Sequence, residues 1–205
     1  MSIVDCDIDG DGDPDLVISD RKGSRRGVFW LENREGKDRL GPWKRHPIGA
    51  IGKEVMFLWV EKDREGKVSS IIATFKPFGI VRLIPGKNPK APWKAFPIRY
   101  DPAGKVGTMK AVCEADFDLD GRKEIAVTCE GAKRGKSGVF ILEPPRSMNG
   151  KWAIRDVSGP LGIKFDLIKP LDLDQDGDID LLTCEERQIN AVIWYENPAR
   201  ESRGD

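Results

Sequence analysis

The chain has 205 residues, 39% apolar and 33% charged, with 34 Lys and Arg against 34 Asp and Glu. That length can bury a core, as one all-β domain or two small ones, and the composition is that of a globular protein. No apolar run reaches the length of a membrane span, no signal-peptide pattern opens the chain, and a single histidine (His46) argues against zinc sites built on several imidazoles and against a Ser-His-Asp triad.

In chain order, a four-residue strand at 3–6 leads into Asp7-Ile-Asp9-Gly-Asp11-Gly-Asp13-Pro-Asp15, five carboxylates at alternate positions. A short apolar strand follows at 16–19, and Gly27 opens another over 27–33. A Pro/Gly/Lys turn then precedes a strand at 43–48 that begins on Trp43. The cycle restarts with a strand at 55–60, an eroded loop at 61–69 (Glu61, Asp63, Glu65, Lys67, Ser69), and strands at 70–74, 79–83 and 93–98, the last marked by Trp93. The third pass has a strand at 109–115, the loop Asp116, Asp118, Asp120, Arg122, Glu124, and strands at 125–129, 138–143 and 152–157, the last marked by Trp152. The fourth has a strand at 165–171, the loop Asp172, Asp174, Asp176, Asp178, Asp180, and strands at 181–184 and 191–197. It ends in a tail without a Trp-marked strand.

Loop starts at 7, 61, 116 and 172 define four repeats of about 55 residues, running about 1–49, 50–101, 102–160 and 161–205. Four short, locally connected strands make a small sheet that cannot bury both faces alone. Stacking such sheets around an axis solves this, so the expected fold is an all-β propeller of four blades. The first blade opens on a stub and the last lacks its final strand, giving about fifteen strands. WD40 and Kelch propellers have similar pitches, but their Trp-Asp and Gly-His signatures are missing.

Carboxylates this dense repel one another unless a cation or solvent compensates them. Calcium takes 6–8 oxygen ligands in flexible geometry, and an alternating Asp loop with a glycine at its bend can supply them. An EF-hand is excluded. It needs a bidentate Glu at position 12 and flanking helices, whereas position 12 is Ile18, Val127 or Thr183 and the flanks read as strands. The last ligand is therefore position 9: Asp15, Glu124 or Asp180.

The pattern Asp-x-Asp-x-Asp-Gly-x-x-Asp before an apolar strand resembles the calcium loop of FG-GAP and VCBS repeats. Trp194-Tyr-Glu-Asn-Pro198 and Trp43-x-x-His46-x-Ile48 are similar to the bacterial VCBS type. The resemblance implies blades whose loop joins the first and second strands and binds calcium, about three structural ions in all. It also suggests an extracellular or periplasmic setting. The second repeat departs from the pattern at Lys67 and Ser69.

Four cysteines (Cys6, Cys113, Cys129, Cys184) form no Cys-x-x-Cys pair and read as small buried thiols. Trp43, Trp93 and Trp152 recur at one repeat position and read as packing residues, as do Trp30 and Trp194. His46 aligns with Phe96 and Arg155, which marks a tolerant strand position. Outside the three acidic loops the chain is about fourteen charges positive, and the connections between second and third strands collect much of this excess. They carry Arg21, Lys22, Arg25, Arg26, Lys76, Lys133, Arg134, Lys136 and Arg187, against Asp20, Glu130, Glu185 and Glu186. Arg21, Arg25, Arg26, Lys133, Arg134 and Lys136 are the candidate ligand contacts, because loops on a rigid scaffold carry function.

The expected function is a calcium-stabilised, non-catalytic binding module for a protein or an acidic glycan. The alternative is a polysaccharide lyase or sugar dehydratase propeller, or a piece of a larger propeller enzyme; such chemistry needs a general base, and only Tyr100, Tyr195, His46 and lysines are on offer. Nucleic acid fits poorly, since only Phe75 and Phe78 interleave with the basic loops. A self-closed monomer is expected ahead of two chains joined end to end.

Overall fold

The structure is a computed structural model that describes residues 2–33, 41–147 and 150–199. Among these, all regular structure is β: fifteen strands in four separate antiparallel sheets, with no helix. The chain divides into two compact units, Met1–Pro97 and Ile98–Asp205, each holding two sheets.

In the first unit, sheet 1 is β1 (Ile3–Cys6), β2 (Asp15–Asp20), β3 (Gly27–Glu32) and β4 (Lys44–Gly49), in that spatial order. Sheet 2 is β5 (Val55–Lys62), β6 (Val68–Phe75), β7 (Gly79–Ile84) and β8 (Lys94–Pro97). Strand β2 shows why these segments become strands: Val17 and Ser19 are buried while Leu16 and Ile18 are half-buried, the period of two that a pleated strand imposes. Val17, Val28, Trp30 and Ile48 of sheet 1 pack against Leu58, Ile71, Ala73, Val81 and Leu83 of sheet 2. Each fully buried side chain of this size contributes about 1.5–3 kcal/mol. The Ser19 hydroxyl, buried in the stack, donates to the Met56 carbonyl at 2.9 Å.

The second unit repeats the plan. Sheet 3 is β9 (Thr108–Ala115), β10 (Glu124–Glu130), β11 (Val139–Glu143) and β12 (Ala153–Asp156). Sheet 4 is β13 (Phe165–Leu171), β14 (Asp180–Glu185) and β15 (Ala191–Tyr195). Strand β13 lies on β9 and β10. Thr128 donates its hydroxyl to the Asp166 carbonyl at 2.5 Å, the counterpart of Ser19 on Met56. Lys110 and Asp166 form a largely buried ion pair at 2.9 Å across the two sheets.

Sheets 2, 3 and 4 each carry a register shift between their first two strands, at Val55/Leu58, Val127/Cys129 and Phe165/Ile168. A bulge frees backbone groups from the ladder, and threonine hydroxyls take them up. Thr74 donates to the Phe57 carbonyl (3.2 Å) and Thr183 to that of Leu167 (2.6 Å), while Thr128 accepts from the Ala111 N–H (3.0 Å).

The strands stand where the repeat places them, and sheet 4 has three, as expected. Sheet 1 opens on the expected stub: β1 has 4 residues where β5, β9 and β13 have 8, 8 and 7, and it pairs along its length from Ile3↔Ile18 to Cys6↔Asp15. Cys6, Cys113 and Cys129 are buried free thiols and Cys184 is a half-buried one. Burial pushes the Cys6 thiol up to about 11, which makes it inert.

Candidate functional site

Each acidic loop connects the first and second strands of its sheet, and its ninth residue is the first residue of the second strand: Asp15 opens β2, Glu124 opens β10 and Asp180 opens β14. The three loops share one hydrogen-bond scaffold. The first carboxylate accepts the N–H of the sixth-position glycine, Gly12 to Asp7 at 3.0 Å, Gly121 to Asp116 at 2.9 Å and Gly177 to Asp172 at 3.1 Å. Those glycines have φ of 92°, 88° and 92°, a left-handed turn that other residues adopt only with strain. The fifth carboxylate accepts the seventh N–H: Asp11 from Asp13, Asp120 from Arg122 and Asp176 from Asp178, at 2.9, 2.8 and 3.0 Å. The ninth accepts the second: Asp15 from Ile8, Glu124 from Phe117 and Asp180 from Leu173, at 2.9, 2.8 and 3.0 Å.

Wrapped in this way, each loop turns oxygens towards a common centre. Asp7, Asp9 and Asp15 each offer an oxygen within 4.8 Å of the others, as do Asp116, Asp118 and Glu124, and Asp172, Asp174 and Asp176. Asp9 Oδ1 and Asp172 Oδ1 are buried without a hydrogen-bond donor. Burial, with crowding by neighbouring carboxylates, pushes Asp15 up to about 6 and Glu124 up to about 7 despite the backbone N–H groups they accept. Buried oxygens of this kind, lacking donors and mutually repelling, fit a hard divalent cation such as calcium. Asp11 is exposed, whereas Asp178 and Asp180 are buried. The Arg122 guanidinium pairs with Asp120 at 2.7 Å, so Arg122 could serve a cation only through its carbonyl.

The eroded loop is built differently. Asp63 Oδ1 accepts the N–H groups of Glu65 and Lys67, and the Asp63 N–H donates to the Lys67 carbonyl, which closes a tight hairpin turn. Among the described residues no carboxylate cluster forms there.

Beside the first loop lies a groove of about 640 Å³ whose walls include Asp9, Asp11, Glu32, Asn33 and Lys90. Lys90 bridges Asp9 (3.0 Å) and Glu32 (2.7 Å), and Glu32 also contacts His46 Nε2 at 2.6 Å. Burial alone would raise Glu32, but the Lys90 and His46 hydrogen bonds outweigh it and hold the carboxyl down at about 2. The His46 ring stacks on buried Trp30, centroids 4.5 Å apart, and is itself buried. His46 is thus a fixed structural partner, a role its alignment with Phe96 and Arg155 gave no sign of.

The basic residues fall in two loops on different units. Arg25 and Arg26 are exposed and Arg21 is half-buried in the β2–β3 connection; Lys133 and Arg134 are exposed and Lys136 is half-buried in the β10–β11 connection. Within its sheet, each connection lies at the end opposite the acidic loop. Glu185, counted from sequence as a counter-charge on the basic loops, is instead a buried anchor. It accepts the N–H groups of Ile163, Lys164, Arg187, Gln188, Ile189 and Asn190.

Known protein-family models and curated proteins were both searched, and neither search found a match to this chain.

Proposed function

We propose that this protein is a calcium-stabilised, non-catalytic binding module, its four sheets acting as propeller blades and its basic loops receiving a protein or acidic glycan. The observation that carries the reading is the threefold recurrence of one loop at the same place in three sheets: the same three carboxylate–backbone contacts, the same left-handed glycine, and a cluster of three carboxylates that always includes the first and third positions. A solvated acidic turn has no reason to repeat that construction. Asp7, Asp9 and Asp15, Asp116, Asp118 and Glu124, and Asp172, Asp174 and Asp176 would hold the ions, with the remaining loop carbonyls and carboxylates completing the shell. The ions brace the scaffold, since each loop joins the same two strands wherever it occurs.

Two features favour binding over catalysis. His46 is buried between Trp30 and Glu32, where no substrate reaches it. The exposed cations Arg25, Arg26, Lys133 and Arg134 sit on loops held by rigid sheets, where an anion would find them without rearrangement. Retention on sulfated, uronic and neutral glycan columns tests the reading. Salt-sensitive retention on the charged columns alone is expected; equal retention or none on all three contradicts it.

A further inference from the structure

We infer that Lys90 is a built-in competitor for calcium at the first loop: its ammonium holds Asp9 until an ion takes the carboxylate over, so binding at loop 7–15 releases Lys90. The inference rests on the calcium reading proposed above. It concerns the first loop alone, and both the loop and Lys90 lie in the first unit.

The third position of the loop carries the observation. In the other two acidic loops this carboxylate is folded into the scaffold: Asp118 accepts the N–H of Asp120 at 3.0 Å, and Asp174 accepts that of Asp176 at 3.3 Å. Asp9 accepts no backbone N–H among the described residues. Its Oδ2 faces the Lys90 ammonium at 3.0 Å, while its Oδ1 is buried without a hydrogen-bond donor. Asp9 still offers an oxygen within 4.8 Å of those of Asp7 and Asp15. One carboxylate therefore serves the cluster and the lysine together.

The surroundings explain why a lysine is held here. Glu32 supplies the second anchor, its Oε1 at 2.7 Å from Lys90, and its Oε2 lies 2.6 Å from His46 Nε2. The imidazole takes one oxygen and leaves the other for the ammonium. In sheet 3 the same two positions hold Glu143 and Arg155, which pair with each other at 3.1 Å. Lys90 comes from the connection between β7 and β8, whose backbone is pinned. The buried Trp93 donates its indole N–H to the Pro89 carbonyl at 3.0 Å, and the Lys90 N–H donates to the Asn88 side chain at 3.0 Å.

A divalent cation on Asp9 repels an ammonium on the same carboxylate. Lys90 is the partner that can leave. Its side chain is 40% exposed on a flexible stem with a strongly hydrated head, whereas that of Asp9 is 11% exposed. Glu32 keeps His46 when Lys90 goes, and the pinned backbone confines the movement to one side chain. Because release gives up the contacts to Asp9 and Glu32, Lys90 lowers the calcium affinity of this loop.

Calcium calorimetry in a background of Asp118→Asn and Asp174→Asn reads the first loop by itself. Lys90→Met, which keeps the stem and removes the charge, should tighten calcium there about tenfold, and Lys90→Arg should stay close to the parent. Acetylation of lysines in the unmutated chain, followed by mass spectrometry, needs no variant to fold. Lys90 should react several-fold faster in calcium than in chelator, while the exposed Lys87 on the same groove should react equally in both. An unchanged or weaker affinity in Lys90→Met, or a Lys90 acetylation rate indifferent to calcium, overturns the inference. If loops 116–124 and 172–180 bind calcium in those cases, the calcium reading stands without it; failure of all three loops to bind overturns both.

Discussion

The backbone N–H of Asn33, just past the end of β3, donates to the Asp15 carboxylate at 2.8 Å, locking the end of the third strand to the ninth position of the acidic loop. Asn197 does the same to Asp180 in the fourth repeat, also at 2.8 Å. Each asparagine also uses its side-chain amide: Asn33 donates to the Pro14 carbonyl, and Asn197 to those of Phe117 and Ile179. The ninth carboxylate is therefore fixed from two sides, by the loop's second N–H and by the asparagine, before any ion arrives. On the proposed calcium reading, these contacts would be the outer layer of hydrogen bonds that orients a metal ligand.

Replacing Asn197 with Ala should destabilise the protein by about 1–3 kcal/mol, because two carbonyls lose a buried donor. Calcium affinity should fall at loops 116–124 and 172–180, whose Phe117 and Ile179 carbonyls lose the amide, and hold at loop 7–15, when measured by calorimetry. An equal fall at all sites would mean that the asparagine acts globally.

Glu185 gives a pH prediction. Burial would raise its carboxyl, but backbone donors led by Ile163 N–H outweigh burial and hold it well below the usual carboxylate range. A depressed folded value means that the stabilisation is complete above the ordinary carboxylate pKa and is lost as pH falls through the folded one. Glu185→Gln should cost about 3 kcal/mol at neutral pH. The gap between the two melting curves should hold from neutrality to mildly acid pH and close only in stronger acid. A gap that closes between neutrality and mildly acid pH would contradict the assignment.

The second loop should behave as a turn. Asp63→Ala should lower stability by about 1 kcal/mol through two lost N–H contacts, equally with calcium and with chelator. A calcium-dependent loss would make 61–69 a metal site after all.

Arg25, Arg26, Lys133 and Arg134, changed together to Ser, should abolish retention on charged glycans and leave thermal stability nearly unchanged, since all four side chains are exposed. Retention by the parent chain should weaken steeply with salt, because exposed charges are screened within about 8 Å at physiological ionic strength.

The strands and their loops were legible because a repeat read four times averages out local ambiguity, and each strand is an apolar run bounded by turn residues. The ninth loop position was read as a last ligand, and its place at the head of β2, β10 and β14 follows from the apolar run that starts beside it. Other features were not legible. Lys90 reaches Asp9 and Glu32 across more than fifty residues of sequence, and no period announces it. Glu185 looked like a surface charge because its six donors are backbone N–H groups, which every residue type except proline carries. Trp30 and Trp194 both read as packing residues; Trp30 is fully buried, whereas Trp194 is 41% exposed, and nothing in the repeat tells the two apart.

Calorimetric titration of the chelator-stripped protein with calcium tests the central claim most directly. The account predicts about three bound ions per chain, with one site lost in each of Asp9→Asn, Asp118→Asn and Asp174→Asn, and a melting temperature that rises with calcium, by the equivalent of about 2.7 kcal/mol at a hundredfold excess over the dissociation constant. No heat of binding, and a melting temperature that ignores both calcium and chelator, would contradict it.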